Sequence, residues 1–236
     1  MDEPVVLWDI DGTLISSSFE RRFVADLRRY GHINLARAVI DALPVWLRNP
    51  LGGWHELKLM YLCGKPVESV QSWIETCWKE SIQPELYPGV IEAIRRLRSD
   101  GVTQVMLSGT PRQLAEPLMR MLELNDIIAA EPEIIEDKYT GRLVEPHPRG
   151  KRKAELAGAW LQDRGYRWNQ TIAIADHWDD RFLLEKANTS ITVHPENRLR
   201  NHAISKGWTV IDDIRESSLL IIIRELATEQ RETSKP

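Results

Sequence analysis

Two cysteines, Cys63 and Cys77, are all that the 236 residues carry, and neither belongs to a CxxC pair or lies among histidines at zinc-ligand spacing. That excludes a disulfide-stapled scaffold and a structural zinc finger; both fall in apolar helical patterns and read as reduced core residues. No apolar run is long enough to cross a bilayer, so no membrane partner is expected. The first strand begins by residue 5, leaving no room for a signal peptide, and the expected setting is cytoplasmic. The sequons at Asn169 and Asn188 then read as chance matches. Formal net charge is -4 with scattered basic residues, so no stripe marks a nucleic-acid footprint. The nearest to a basic patch is Arg149, Lys151, Arg152 and Lys153, which by itself reads as a solvated loop. There is no internal repeat, and oligomeric state stays open.

What is present is apolar substance, 42% of the chain, enough for one large domain or a core with a smaller insert. Short apolar runs resemble buried strands: VVLW at 5–8, VTQVML at 102–107, TIAIA at 171–175 and SITV at 190–193, with WTVI at 208–211 as a further candidate. Amphipathic segments of helical length fall near 89–100, 111–125, 151–165, 179–187 and 195–206. The alternation predicts an α/β fold, a parallel Rossmann-like sheet with helices on both faces. Ligands of such sheets gather at the carboxyl ends of the strands.

Residues 14–84 break that rhythm. Four candidate helices, roughly 18–30, 33–48, 54–63 and 66–80, are punctuated by Pro50, Gly52, Gly53, Gly64 and Pro66. The expected division is therefore a core of residues 1–13 and 85–236 and a helical insert of 14–84. Four of the nine tryptophans fall in the insert, where filling a small helical core is favoured over touching a substrate. The last apolar stretch, SSLLIIIREL, reads as a final helix or strand before a polar, frayed end.

The expected strand ends carry the chemistry. VVLWDIDGTL puts Asp9 and Asp11 two residues apart; an Asp-Gly turn would be the plain explanation, but LISSSFERRFVADLRRY is helical and offers no second strand. VMLSGTP ends in Ser108 and Gly109, a hydroxyl and free N–H groups before a helix. AIADHWDD delivers Asp176, Asp179 and Asp180, with Lys153 on a preceding helix start. If these ends converge, five carboxylates share one volume with a single obvious lysine. Each like-charge pair at ~4 Å costs about 4 kcal/mol at an effective dielectric of ~20. A hard divalent cation would relieve that, and oxygen-only ligands favour magnesium. Singly, Asp179 and Asp180 could also be charges favoured at a helix N-terminus.

WDIDGTL, LSGT, Lys153 and ADHWDD, in that order and spacing, resemble the four motifs of the haloacid dehalogenase-like phosphatase superfamily, in the branch similar to phosphoserine phosphatase. The likeness spans about residues 5–211, and the insert sits where that branch keeps its cap domain. In that branch the motif lysine opens a helix with an apolar residue at the next turn, and the resemblance therefore favours Lys153, followed by Leu156, over Lys151, which meets Ala154 and Glu155. The resemblance implies a magnesium-dependent phosphomonoester hydrolase acting on a small phosphorylated metabolite through an aspartyl-phosphate. Asp9 would be the nucleophile and Asp11 the acid and base. Ser108, Gly109 and Lys153 would bind phosphate, and Asp9, Asp176 and the Asp11 carbonyl would hold magnesium. Thr13, Asp179 and Asp180 would support them, Asp180 by orienting Lys153.

Two features depart from the family pattern. Ala175 and Asp179 stand where glycine and asparagine are usual, the latter adding a negative charge. Where phosphoserine phosphatases place a glutamate for the substrate amine, nine residues past the nucleophile, this chain has Ser18; Glu20 and Arg21 are the nearby candidates for the leaving group. Phosphoserine phosphatase proper stays open as a reading. A receiver-type signalling domain lacks a cap and needs about half this length. A dehalogenase proper needs no acid at Asp11, and an idle binding protein would not need the intact set.

Overall fold

In a computed structural model, residues 4–34 and 59–212 and residue 223 are described. Six strands form one parallel sheet in the order β3-β2-β1-β6-β7-β8: β1 (Val5–Trp8), β2 (Thr103–Pro111), β3 (Asp126–Ala130), β6 (Thr171–Ala175), β7 (Thr189–Val193) and β8 (Thr209–Ile211). Strands β4 (Pro132–Ile135) and β5 (Lys138–Leu143) form a separate antiparallel pair. This is the α/β Rossmann-like fold expected from the alternation.

The strands are apolar on both sides because both faces are covered. Along β1 the side chains alternate: Val6 and Trp8 join one core cluster, Val5 and Leu7 the other. The first cluster is closed by α1 (Phe19–Arg29), α3 (Pro88–Ser99) and α4 (Arg112–Leu122); the second by α5 (Lys151–Asp163), α6 (Arg181–Leu184) and α7 (Asn197–Lys206). Helix α1 shows the logic, with Phe19, Phe23 and Leu27 spaced four apart and fully buried while Arg21 and Arg22 face water. Each such side chain contributes about 1.5–3 kcal/mol by leaving water.

Of the four expected insert helices, the first is α1 and the last is α2 (Val67–Cys77), which runs on into a π turn over Trp78–Ile82. The 33–48 helix lies outside the described residues apart from its first two positions, which are not helical. Of 54–63, the described part is a single 3₁₀ turn, Met60–Leu62. Trp73 stacks on His32 with ring centroids 4.4 Å apart, and Trp73 and Trp78 both pack on the core. The strand pair β4–β5 docks on this region: Gly64 and Val67 donate backbone N–H groups to Tyr139 and Asp137, and Tyr139 donates to Lys65. The 111–125 helix starts one residue later than expected, since β2 extends through Pro111. The SSLLIIIREL stretch lies outside the described residues, save for residue 223.

Candidate active site

Register brings the polar strand ends together. Trp8 sits level with Met106 of β2 and Ile174 of β6, so Asp9, Ser108 and Asp176 all emerge at the same edge, where strand order reverses about β1. There they line one cavity of about 860 Å³, together with Asp11, Gly109, Lys153, Asp179 and Asp180. Glu20 and Arg21 line the same cavity from α1. Thr13 is fully buried just behind the Asp11 turn and does not reach it.

Lys153 is the centre of the charges. Its ammonium lies 2.5 Å from Asp9 Oδ1 and 2.6 Å from Asp180 Oδ1, and all three residues are buried. Lys151, in contrast, lies outside, 5.6 Å from the centre of the Phe182 ring. Burial alone would lower the Lys153 ammonium, but the pull of Asp180 and Asp9 outweighs it and holds the group above its ordinary value. Burial pushes the Asp9 carboxyl up to about 7 in spite of Lys153. Asp176 is pushed further, to about 9, by burial and then by the charges of Asp9 and Asp180.

Asp11 is gripped separately. The Phe19 N–H donates to Oδ1 and the Ser18 hydroxyl to Oδ2, both at 3.0 Å, and the Thr110 hydroxyl stands 3.4–3.5 Å from the two oxygens. Ser18 occupies the N-cap of α1 yet makes no side-chain cap bond, because its hydroxyl serves Asp11. Burial raises the Asp11 carboxyl, and these hydrogen bonds only partly offset it.

Two glycines let the walls approach. Gly12 has φ +80, and a Cβ there would lie 2.0 Å from Asp176 Oδ2. A Cβ on Gly109 would lie 2.3 Å from the His147 ring. His147 thus packs on the Ser108–Gly109 turn, a neighbour without any sequence signal, since it arrives on the loop between β5 and α5. Tyr61 also enters unannounced and donates to Glu20 at 3.2 Å. Thr110 was visible only as the last letter of LSGT.

The basic quartet disperses. Arg149 pairs with Asp179, Arg152 with Glu145 and Glu155, and Lys153 turns inward. Arg149 thereby answers the additional charge at position 179.

One ligand oxygen each of Asp9, Asp176 and Asp180 can lie within 4.8 Å of the others, and Asp176 Oδ1 is buried with no hydrogen-bond partner among the described residues. An orphaned buried carboxylate oxygen in an all-oxygen cluster fits a hard divalent cation. No helix among the described residues is long and apolar enough to cross a membrane.

Known proteins share this arrangement of elements. The chain is 24% identical over 214 residues to phosphoserine phosphatase SerB1 of Mycobacterium tuberculosis, covering 87% of this chain and 69% of that one. Its fold matches a Bordetella pertussis protein of unknown function with a TM-score of 0.77, 24% identity and coverage of 88% and 97%. It also matches a phosphoserine phosphatase described as a phospho-aspartyl intermediate analogue, with a TM-score of 0.64, 18% identity and coverage of 96% and 98%. The family model for haloacid dehalogenase-like hydrolases matches residues 6–185, and the chain belongs to that family.

Proposed function

We propose that the protein is a magnesium-dependent phosphatase that hydrolyses a small phosphorylated metabolite through an aspartyl-phosphate. The observation that carries this reading is the buried Asp9–Lys153–Asp180 chain beside the unpartnered Asp176 oxygen. Asp9 would attack phosphorus in line: its oxygen forms the new P–O bond as the ester P–O bond breaks. Asp11 would give its proton to the departing oxygen, a role suited by a carboxyl that burial raises. It would then take a proton from water, whose oxygen displaces Asp9 and frees inorganic phosphate. Ser108, the Gly109 N–H and Lys153 would hold the other phosphoryl oxygens. Asp180 holds Lys153 in place.

Asp9, Asp176 and the Asp11 carbonyl would hold the metal, with Asp180 orienting Lys153 beside them. When bound, magnesium supplies positive charge against the crowded carboxylates and the incoming phosphate. Residues 14–84 would act as a cap over a core of 1–13 and 85–236. Glu20 and Arg21 would contact the leaving group. The acidic lining, with Arg149 and Lys153 paired to acids, suits a small phosphate ester rather than nucleic acid. A cytoplasmic setting suits the reduced Cys63 and Cys77.

The test is phosphate release from a panel of phosphorylated metabolites. Turnover should vanish with chelator and return with magnesium; undiminished turnover in metal-free buffer would overturn the mechanism.

A further inference from the structure

Resting on the proposed metal site, we infer that Glu196 is a positioning residue that clamps the loop carrying Asp176. That loop has a mechanical problem. It must hold Asp176 and Asp180 toward Asp9, with one carboxylate oxygen of each within 4.8 Å of the others. Repulsion pushes the loop outward, so something outside the cluster has to hold it.

Within the loop, Asp180 N–H donates to His177 C=O at 2.9 Å, and Asp179 N–H meets the His177 ring at 3.2 Å. These bonds shape the turn but do not anchor it. Lys153 and Arg149 hold its far end through Asp180 and Asp179, and its first three residues are anchored from one residue immediately before α7. The Glu196 N–H donates to Asp176 C=O at 3.3 Å, and its carboxylate Oε1 accepts the Trp178 N–H at 3.1 Å. Its other oxygen lies 3.9 Å from His177 Nε2. Three consecutive loop residues are thus held from a single point. Helix α7 adds a second grip through Arg198, which stacks 4.0 Å from the Trp178 ring centre while Arg181 stacks 4.3 Å from it. Glu196 does not itself line the cavity, so it acts on the metal only through where it puts Asp176.

Outer partners that fix a ligand's orientation are worth about 10–100-fold in metal affinity, and a half-exposed clamp belongs at the lower end. Glu196→Ala should weaken magnesium binding about tenfold in a calorimetric titration. In the metal-free protein, amide hydrogen exchange over residues 176–180 should quicken while that of β6 stays unchanged. Glu196→Gln keeps an acceptor for the Trp178 N–H and should stay near wild type in both measurements. Wild-type affinity or wild-type exchange in Glu196→Ala overturns the clamp, as does a Glu196→Gln variant as impaired as the alanine. Should the wild-type protein bind no magnesium, the metal reading falls by itself; the exchange comparison still decides whether Glu196 holds the loop.

Discussion

Asp9, Ser108, Lys153 and Asp180 are each 5% exposed or less, whereas Arg21, Arg149 and His177, on the same cavity, stand open to solvent. The buried wall comes from the ends of β1 and β2, the first turn of α5 and the 3₁₀ turn after β6 that ends at Asp180. The open wall comes from α1, from the loop before α5 and from the tip of the β6 loop. Its ion pairs, such as Arg149 with Asp179, are the exposed kind that contributes about 1 kcal/mol at most. One wall is therefore specified by the sheet and expensive to alter, while the other can change with little effect on the fold. On the proposed function, chemistry common to all phosphate esters would fall to the first, and choice among esters to the second.

Attacking the buried wall should give the largest effect. Asp9→Asn should lower turnover on the order of 10⁴-fold or more, since it removes the attacking atom. Asp11→Asn should cost about 10²–10⁴-fold and retain some capacity to be phosphorylated. Labelling with a radioactive phosphate donor checks both; equal labelling of wild type and Asp9→Asn would mean that another residue is attacked.

The next effect lies in stability and pH. Asp9 and Asp176 sit at about 7 and about 9 against an ordinary 3.8. Carboxyls raised on folding give stability that is fully present below about pH 4 and lost as pH rises through the folded values. The metal-free protein should thus lose on the order of a few kcal/mol between pH 5 and pH 9, read from denaturant midpoints in chelator. Asp176→Asn should flatten that slope, and a slope of opposite sign would refute the assignment of the burden to these two groups. Magnesium affinity should climb over the same range, because protons compete for the same oxygens.

The open wall should respond least. Glu20→Ala and Arg21→Ala should shift relative kcat/KM among esters by about tenfold or less while leaving the fold intact. Unchanged ratios for every ester would remove both residues from the specificity wall.

That contrast also governs what could be read in the chain beforehand. Asp9, Asp11, Ser108, Asp176 and Asp180 follow apolar runs, so the strand pattern announced them, while the choice of Lys153 over Lys151 needed the family resemblance. His147 and Tyr61 reach the cavity by loop and turn geometry, which leaves no periodic trace. The β4–β5 pair was missed for a local reason. Its turn places Glu136 and Asp137 at φ 49 and 57, where Asn-Gly or Asp-Gly would have been the usual signal. Strand β3 was missed because DIIAA is short and follows a helix directly, so the chain from 126 to 150 carried no pattern strong enough to name.

The place of β1 in the sheet has a consequence for how the chain comes to be folded. Val5 pairs with Thr103 on one side and with Thr171 on the other. At about 5–20 residues per second of synthesis, VVLW therefore leaves the ribosome on the order of ten seconds before its second neighbour exists. Both contacts are remote in sequence, so closing them is slow even for the completed chain. Until β6 docks, the Asp9 carboxylate has no Asp176 to repel it, and the strand beneath has one apolar edge unpaired and open to chaperones or to another chain. The cavity is consequently a late product of assembly, because its charges meet only once β6 has docked beside β1.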